Sequence, residues 1–381
     1  MTSNHRVCLL NPGPVTLSRR VRESFNREDL CHRDPDFSAL QADVRERIRG
    51  VYEGARQNYE AVLLTGSGTA AVEAMVGSLV PTEGRALVVA NGIYGERMAT
   101  MLQIHKKDFA IVTSDSTEPI NLAEVDRILA SDNRFTHVLS VHHETTTGRL
   151  NDIAGLGAIC RQRQVALLLD TVSSFAGEEL KFEEWNLQAC AATANKCLHG
   201  VPGVAFVLAR RDVLESPTSA SPCLYLDLFR NYKEQIAGFP MFTPSVQATY
   251  ALQAALHELE DQGGWKKRRD HYRELSRIVR EGLKSQSYRL LLKNENDYSS
   301  ILTSFLLPSN VAFEELFANL KDQGYVIYSG QRALNGKIFR IAVMGDLSTD
   351  DMQGFVGTFK ETVANLRTQS AEIRSHQQLP S

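Results

Sequence analysis

Short apolar runs alternate with segments of helical length between residues 61 and 210, and this rhythm limits the possible folds most strongly. The runs are AVLLTG, RALVVAN, FAIVTS, THVLSVHH, VALLLDTVS, AATAN and GVAFVLAR. Such alternation is typical of βα units, and continuous apolar runs indicate strands that are buried on both faces. We therefore predict an α/β fold with a seven-stranded, mostly parallel sheet.

The pattern changes after residue 245. The segment SVQATYALQAALHELED has helical periodicity, and GWKKRRDHYRELSRIVREGLKSQ is predicted to form a long amphipathic helix. Three further strand-like runs follow, ILTSFLLP, GYVIYSG and IFRIAVMG. We predict a large domain over residues 16–260, a small α/β domain from residues 1–15 and 261–366, and a disordered polar tail over residues 367–381.

Charge and cysteine content argue against several kinds of partner. The 42 Lys and Arg residues against 45 Asp and Glu give a net charge of −3 without a basic block, which disfavours nucleic acid and anionic membranes. The six cysteines show no C-x-x-C pair and no metal-ligand spacing with histidine, which argues against a metal site and a disulfide framework. No apolar run reaches membrane-spanning length. We expect a cytoplasmic protein that binds small molecules.

The ends of the first two predicted strands carry residues suited to a phosphorylated, planar ligand. Ser67, Gly68 and Thr69 follow the first strand and begin a helix, where free N–H groups carry partial positive charge. They fit a phosphate-binding turn, although an ordinary strand-to-helix turn has the same composition. They form neither a Walker loop nor a dinucleotide fingerprint. Tyr94 follows the next strand, where its ring either covers a planar ligand or packs in the core.

The later strand ends carry hydroxyls, a carboxylate and a lysine. His142 and His143 lack the helical i, i+4 spacing of a metal site, so the hydroxyls of the adjoining ETTTG segment are predicted to orient a ligand. Asp170 ends an apolar strand and needs a cation or donors unless it caps a helix. Lys196 follows the small-residue run AATAN, where a solvated loop residue is the simpler interpretation.

Taken together, these residues predict a site for a phosphorylated pyridine aldehyde. Lys196 would form a Schiff base with the aldehyde carbon. Asp170 would keep the pyridine nitrogen protonated, so that the ring withdraws electrons from the substrate.

The order of the motifs resembles one enzyme family. LLTGSGTAAVEA, NGIYGER, HHETTTG, LLLDTVSSFAG, ATANKCLHGVPG and FRIAVMGD closely resemble the motifs of class V, fold-type I pyridoxal-phosphate aminotransferases, from LLNPGPV to about residue 350. Within this family the chain is most similar to 2-aminoethylphosphonate:pyruvate transaminases, with alanine:glyoxylate and serine:pyruvate aminotransferases as the alternative. The resemblance implies a homodimeric enzyme that uses pyridoxal 5′-phosphate in a ping-pong transamination.

The resemblance also implies roles for individual residues. Lys196 and Asp170 would be catalytic, and Arg340 would clamp the substrate carboxylate, with the NPGP loop at Pro12 and Gly13 closing over the pocket. The phosphonate would meet either Arg33, beside His32, or Arg332. The cofactor would be bound by Ser67, Gly68, Thr69, Tyr94, Thr145, Asp170, Val172, Asn195, Lys196 and, from the second subunit, Thr243.

Two other interpretations remain. A cysteine desulfurase on the same fold needs a nucleophilic cysteine in its C-terminal domain, and no cysteine follows Cys223. A non-catalytic ligand-binding protein would have no need of Lys196, Asp170 and Arg340. The LCHRDPDF and NPGP segments resemble versions associated with phosphonate biosynthesis, so the physiological direction of the reaction stays open.

Overall fold

A computed structural model describes residues 6–216, 219–285 and 288–377. The strands are β1 (Cys8–Leu9), β2 (Tyr59–Gly66), β3 (Arg85–Ala90), β4 (Asp108–Thr113), β5 (Phe135–Val141), β6 (His143–Glu144), β7 (Arg149–Leu150), β8 (Ala166–Asp170), β9 (Leu187–Thr193), β10 (Gly203–Arg210), β11 (Leu302–Leu306), β12 (Tyr325–Val326), β13 (Tyr328–Ser329) and β14 (Ile338–Ala342). The helices are α1 (Arg19–Glu23), α2 (Pro35–Gly50), α3 (Gly68–Leu79), α4 (Ile93–Ile104), α5 (Leu122–Ser131), α6 (Ile153–Arg163), α7 (Arg211–Leu214), α8 (Leu228–Ile236), α9 (Val246–Asp261), α10 (Gly264–Lys284), α11 (Phe313–Asp322) and α12 (Thr349–Gln377).

The central sheet has seven strands in the order β2-β10-β9-β8-β5-β3-β4. Its pairs are parallel except those of β10, which runs antiparallel to both β2 and β9. The predicted seven-stranded, mostly parallel sheet is therefore confirmed. Asp170 at the end of β8 pairs with Val141 on one side and Ala191 on the other, so the carboxyl ends of these strands lie at one edge.

Alternate residues of each central strand enter different cores, which explains the continuous apolar runs. In β3, Leu87 and Val89 pack in a cluster that includes residues of α2 and α9. Ala86 and Val88 point the other way and pack in a cluster that includes residues of α3 and α4. Because both faces are covered by helices, neither face needs polar residues.

A second, smaller sheet of order β11-β14-β13 lies with α10, α11 and α12 in the C-terminal part of the chain. The N-terminal segment joins it, since β1 pairs with β12, and Cys8, Leu10 and Val15 share a core with residues 272–366. The run GYVIYSG, expected as one strand, forms the two short strands β12 and β13. This division supports the predicted domains, whose limits stay a prediction; residues 1–5 lie outside the described part.

The helix α12 continues to Gln377 and so overlaps the tail over residues 367–381, whose disorder stays a prediction. The buried face of this helix, with Phe355, Phe359 and Val363, anchors it in the small core. The following stretch is rich in Ala, Glu, Arg and Gln, which favour helix once a helix has been started. Residues 378–381 of the predicted tail lie outside the described residues.

Neither a helix suited to crossing a membrane nor a disulfide is found among the described residues. None of the described helices combines the length and the apolar character needed to cross a bilayer. All six cysteines are free thiols.

Candidate active site

Lys196 lies in the loop between β9 and β10, at the carboxyl edge of the sheet. Its ammonium contacts the carbonyl oxygen of Pro12, and a Cβ on Gly13 would lie 2.7 Å from Lys196 Nζ. The NPGP loop therefore covers the lysine. Burial lowers the pKa of Lys196 from 10.5 to about 8, against the opposing effects of Cys197 and Asp170. A lysine with this pKa can both take and release a proton near neutral pH.

Asp170 is buried at the end of β8, and its Oδ1 accepts a hydrogen bond of 2.9 Å from the backbone N–H of Val172. Burial raises the pKa of this carboxyl from 3.8 to about 6, while Arg97 and Lys196 draw it down. No cation lies within ion-pair distance of Asp170 among the described residues. The carboxylate is thus held by the backbone and by longer-range attraction, and it can still accept a bond from a ligand.

A cavity joins these two groups to several other predicted site residues. Tyr94 of the first turn of α4 and Thr145 of the turn after β6 lie on its wall, together with Val172 of the segment that follows β8. The residues that line it are Tyr94, Val141, His143, Thr145, Asp170, Val172, Ser173 and Lys196.

The turn between β2 and α3 has the features of an anion site. Ser67 is the N-cap of α3, and its hydroxyl forms no capping hydrogen bond, so the first N–H groups of the helix keep their donor capacity. Gly68 fits because a Cβ there would lie 2.7 Å from Cγ1 of Val172. The turn therefore packs directly against a residue of the cavity wall.

Arg97 was missed by the sequence analysis. Its Nη1 donates a hydrogen bond of 3.1 Å to Thr69 Oγ1, and its guanidinium lies 4.9 Å from the centre of the Tyr94 ring. It therefore adds positive charge beside the turn that begins α3. Helical spacing could have identified Arg97, because it follows Tyr94 by three residues on α4 and so lies on the same face of the helix.

Asn195 and Thr145 lie close to the lysine and to the cavity, respectively. Asn195 Oδ1 accepts a hydrogen bond of 2.9 Å from the hydroxyl of Thr193, which holds the amide at the end of β9, directly before Lys196. Thr145 is buried on the cavity wall.

Arg340 is fully buried on β14, behind Thr145. Its Nη1 donates to the carbonyl oxygen of Thr145 at 2.7 Å, and its Nε and Nη2 donate to that of Ser329 at 2.8 and 2.6 Å. The ring of Tyr328 lies 4.8 Å from the guanidinium carbon. Hydrogen bonds to backbone carbonyl oxygens therefore fix the orientation of the guanidinium group. Burial lowers the pKa of Arg340.

His143 is a second residue that the sequence analysis did not assign to the site. It is buried, and its Nδ1 donates to the carbonyl oxygen of Ser173 at 3.2 Å, while its Nε2 lies 2.9 Å from the hydroxyl of Ser299. Burial lowers the pKa of His143 to about 4, so the ring is neutral at neutral pH. It links the cavity to the small domain, which a sequence pattern does not reveal.

Among the described residues, the lining of this cavity includes none of the predicted Pro12, Gly13, Asn195, Arg340 and residues 67–69, and four further predicted residues are also absent from it. His32 and Arg33 lie in the turn before α2, where Arg33 is exposed. Arg332 is exposed and forms an ion pair with Glu96 in the first turn of α4. Thr243 is exposed in the segment between α8 and α9. None of the four forms a hydrogen bond or an ion pair with Lys196 among the described residues.

The chain is similar to known proteins over most of its length. The family model "Aminotransferase class-V" matches residues 21–347. A protein of Bacillus mycoides (strain KBAB4), named 2-aminoethylphosphonate--pyruvate transaminase, is 35% identical over 366 residues, which are 95% of this chain and 99% of that protein.

Two solved structures share the fold over nearly the whole chain. The aspartate aminotransferase of subgroup IV from Thermus thermophilus has a TM-score of 0.85 at 26% identity and covers 94% of this chain and 99% of its own. The alanine--glyoxylate aminotransferase from Nostoc sp. has a TM-score of 0.87 at 23% identity, with coverage of 94% and 96%. The predicted fold class is confirmed by these likenesses.

Proposed function

The chain belongs to the class-V aminotransferase family and is therefore a pyridoxal-phosphate-dependent aminotransferase, and we propose that its substrates are 2-aminoethylphosphonate and pyruvate. The observation that carries this choice is the 35% identity, over 95% of the chain, to a transaminase named for these two compounds. Alanine:glyoxylate or serine:pyruvate transamination is the alternative, because such enzymes would share the cofactor residues and differ only in the substrate pocket.

The residues at the cavity fit the cofactor. The free donors at the start of α3, with Arg97 beside them, match a phosphate, and Lys196 and Asp170 match an aldehyde and a pyridine nitrogen. We assign the phosphate to Ser67, Gly68, Thr69 and Asn195, the ring faces to Tyr94 and Val172, and the ring hydroxyl to Thr145. When bound, pyridoxal phosphate supplies an electron sink that stabilises negative charge on the carbon bearing the amino group.

Lys196 is the group that removes and returns the proton during transamination. With a pKa near 8, its amine is a competent base at neutral pH, and as an ammonium it returns the same proton at a second position. The NPGP loop over Nζ limits the access of water to this amine.

Asp170 contributes through its charge. The carboxylate stands in a buried setting, where an interaction with a positive ring nitrogen is worth more than in water. Arg340 is the assigned partner of the substrate carboxylate, and its fixed guanidinium suits a bidentate contact. Arg33 or Arg332 is assigned to the phosphonate.

We also propose that the active enzyme is a homodimer in which Thr243 completes the phosphate site of the other subunit. Thr243 is exposed, and so are the large apolar side chains of Phe239 and Phe242, which are close to it in sequence. The exposed ring of Tyr225 stacks on Phe242 at 5.2 Å, and such an exposed apolar group is typical of a covered surface. The cytoplasmic location stays a prediction.

A mixed dimer tests the contribution of Thr243. Thr243→Glu would set a carboxylate against the phosphate and inactivate the homodimer, and Lys196→Ala inactivates its own site. If Thr243 acts across the interface, each mixed dimer regains one intact site, and mixing the two inactive proteins restores activity. Continued inactivity of mixtures that do form mixed dimers would contradict the assignment.

Product analysis tests the choice of substrate. With 2-aminoethylphosphonate and pyruvate, alanine should accumulate, and kcat/KM should exceed that for alanine with glyoxylate or serine with pyruvate by about 100-fold or more, because a phosphonate and a carboxylate need different partners. Faster turnover of alanine with glyoxylate would transfer the enzyme to the alternative, and binding without any turnover would indicate a ligand-binding protein.

A further inference from the structure

Glu144 is a buried carboxyl with no assigned role in binding the cofactor or the substrate. It is 0% exposed. One oxygen, Oε1, accepts hydrogen bonds from the backbone N–H of Thr146 at 3.0 Å and from its hydroxyl at 2.5 Å. The other oxygen, Oε2, is buried without a well-oriented hydrogen bond. Burying a carboxyl oxygen without a hydrogen-bond partner is unfavourable, so the position of Oε2 calls for a structural explanation.

That oxygen faces the beginning of α4. The N-cap of α4 is Gly92, which has no side chain to cap the helix. A Cβ on Gly92 would lie 2.3 Å from Cδ of Glu144 and 2.4 Å from its Oε2, so the carboxyl stands directly against the first turn. Burial raises the pKa of Glu144, and the two donors of Thr146 and the backbone N–H of Tyr94 oppose that rise, while the charge of Asp170 adds to it. A carboxylate at this position interacts favourably with the positive end of the helix.

The same residue also organises the turn that carries Thr145. The carbonyl oxygen of Glu144 accepts hydrogen bonds from the backbone N–H of Gly148 at 2.8 Å and of Thr147 at 3.3 Å, which closes a tight turn. Arg340 donates to the carbonyl of Thr145 inside this turn. Glu144 therefore joins the start of α4, through its side chain, to a turn that meets the small domain, through its side-chain bonds to Thr146 and its own carbonyl oxygen.

We propose that Glu144 is a positioning residue that caps α4 from outside the helix and so fixes the ring of Tyr94 relative to Thr145 and Arg340. Tyr94 is the second residue of α4, so a shift of the first turn moves its ring directly. The proposal rests on the proposed function, since it takes Tyr94 as the residue that covers the cofactor ring. No part of it depends on which amino donor the enzyme uses.

Glu144→Gln is the first test, because it keeps one oxygen and the volume but sets an NH2 donor against the N–H donors of α4. We expect the affinity for pyridoxal phosphate to fall about tenfold, the circular dichroism induced in the bound cofactor to change, and kcat to fall more than KM changes. Glu314→Gln is the matched control: it makes the same chemical change in the first turn of a helix, α11, on an exposed side chain outside the site, and all three quantities should stay at their wild-type values.

Gly92→Ala gives a second test that leaves Glu144 itself intact. Its methyl group would displace the carboxyl, so the same loss of affinity and the same change of circular dichroism are expected, even where Glu144→Gln fails to fold.

Wild-type affinity and circular dichroism in both variants would overturn the proposal. So would a loss confined to thermal stability, because a purely space-filling role predicts that result. If the wild-type protein binds the cofactor but does not turn over 2-aminoethylphosphonate, the substrate assignment fails. The affinity and circular dichroism measurements still test the role of Glu144 in that case. If the wild-type protein does not bind the cofactor, both proposals fail.

Discussion

Lys196→Ala is expected to reduce kcat by about 10³- to 10⁴-fold and to remove the visible absorbance of the bound cofactor, while the protein stays folded. The reason is that Lys196 is both the attachment point and the base, and proton transfer by a positioned group is worth up to this amount. Steady-state kinetics and the absorbance spectrum after dialysis measure the two effects.

The effect of Lys196→Ala on the free energy of unfolding depends on pH in a predictable direction. The pKa of Lys196 lies near 8 in the folded protein and at 10.5 as its ordinary value, so the unfolded chain binds the proton more tightly. Its contribution to the free energy of unfolding therefore rises as pH increases from about 8 to 10.5, and it is least favourable below pH 8. At pH 7 the alanine variant, without cofactor, should melt no lower than the wild type without cofactor.

Lys107 offers a matched control. Burial also lowers its pKa to about 8, but its ammonium donates to the carbonyl oxygens of Val80 and Ala220, away from the cavity. Lys107→Met should retain the cofactor absorbance and turnover. If Lys196→Ala kept substantial turnover, or if Lys107→Met lost the absorbance while folded, the assignment of Lys196 would be wrong.

Asp170→Asn is expected to reduce kcat by about 10²- to 10³-fold, the size of an effect from one buried electrostatic partner. The amide keeps an oxygen for the N–H of Val172, so the local backbone should be preserved. What is lost is the negative charge that favours protonation of the ring nitrogen, and with it most of the electron withdrawal by the cofactor.

The same substitution should stabilise the protein without its cofactor above pH 6. The pKa of Asp170 is raised from 3.8 to about 6 in the folded protein, so folding favours the neutral carboxyl. Its contribution to stability is present below pH 3.8 and is lost as pH rises to about 6. Two pKa units correspond to about 3 kcal/mol, which is an upper limit for the gain in Asp170→Asn. Urea unfolding at pH 5 and pH 8 measures it, and a variant that is less stable at pH 8 would contradict this account.

Residues at strand ends could be predicted from the sequence for a physical reason. Tyr94, Asp170 and Lys196 each follow an apolar run, and parallel strands bring their carboxyl ends to one edge, so periodicity alone places such residues together. The structure brings Thr145 and Val172 to the same cavity.

Other contacts depend on how separate parts of the chain pack, which local patterns do not encode. The bond between His143 and Ser299 joins residues that are 156 positions apart, and the contact of Lys196 with Pro12 spans 184 positions. Glu144 was not assigned because its partner is a glycine, Gly92, whose role is to leave space.

The placement of Thr243 illustrates a different limit. Its exposure on a single chain gives no direct sign of function, and only the resemblance to a dimeric family assigns it a ligand. Conversely, the tail after residue 367 has a polar composition that fits disorder, whereas its continuation as α12 follows from the buried face that precedes it.

The most direct test of the central claim is to reduce the protein with bound pyridoxal phosphate by sodium borohydride and to map the modified peptide by mass spectrometry. The account predicts the cofactor's mass on the peptide that contains Lys196, and its loss from that peptide when 2-aminoethylphosphonate is added before the reductant. Modification of a different lysine, or no modification of a protein that binds the cofactor, would contradict it.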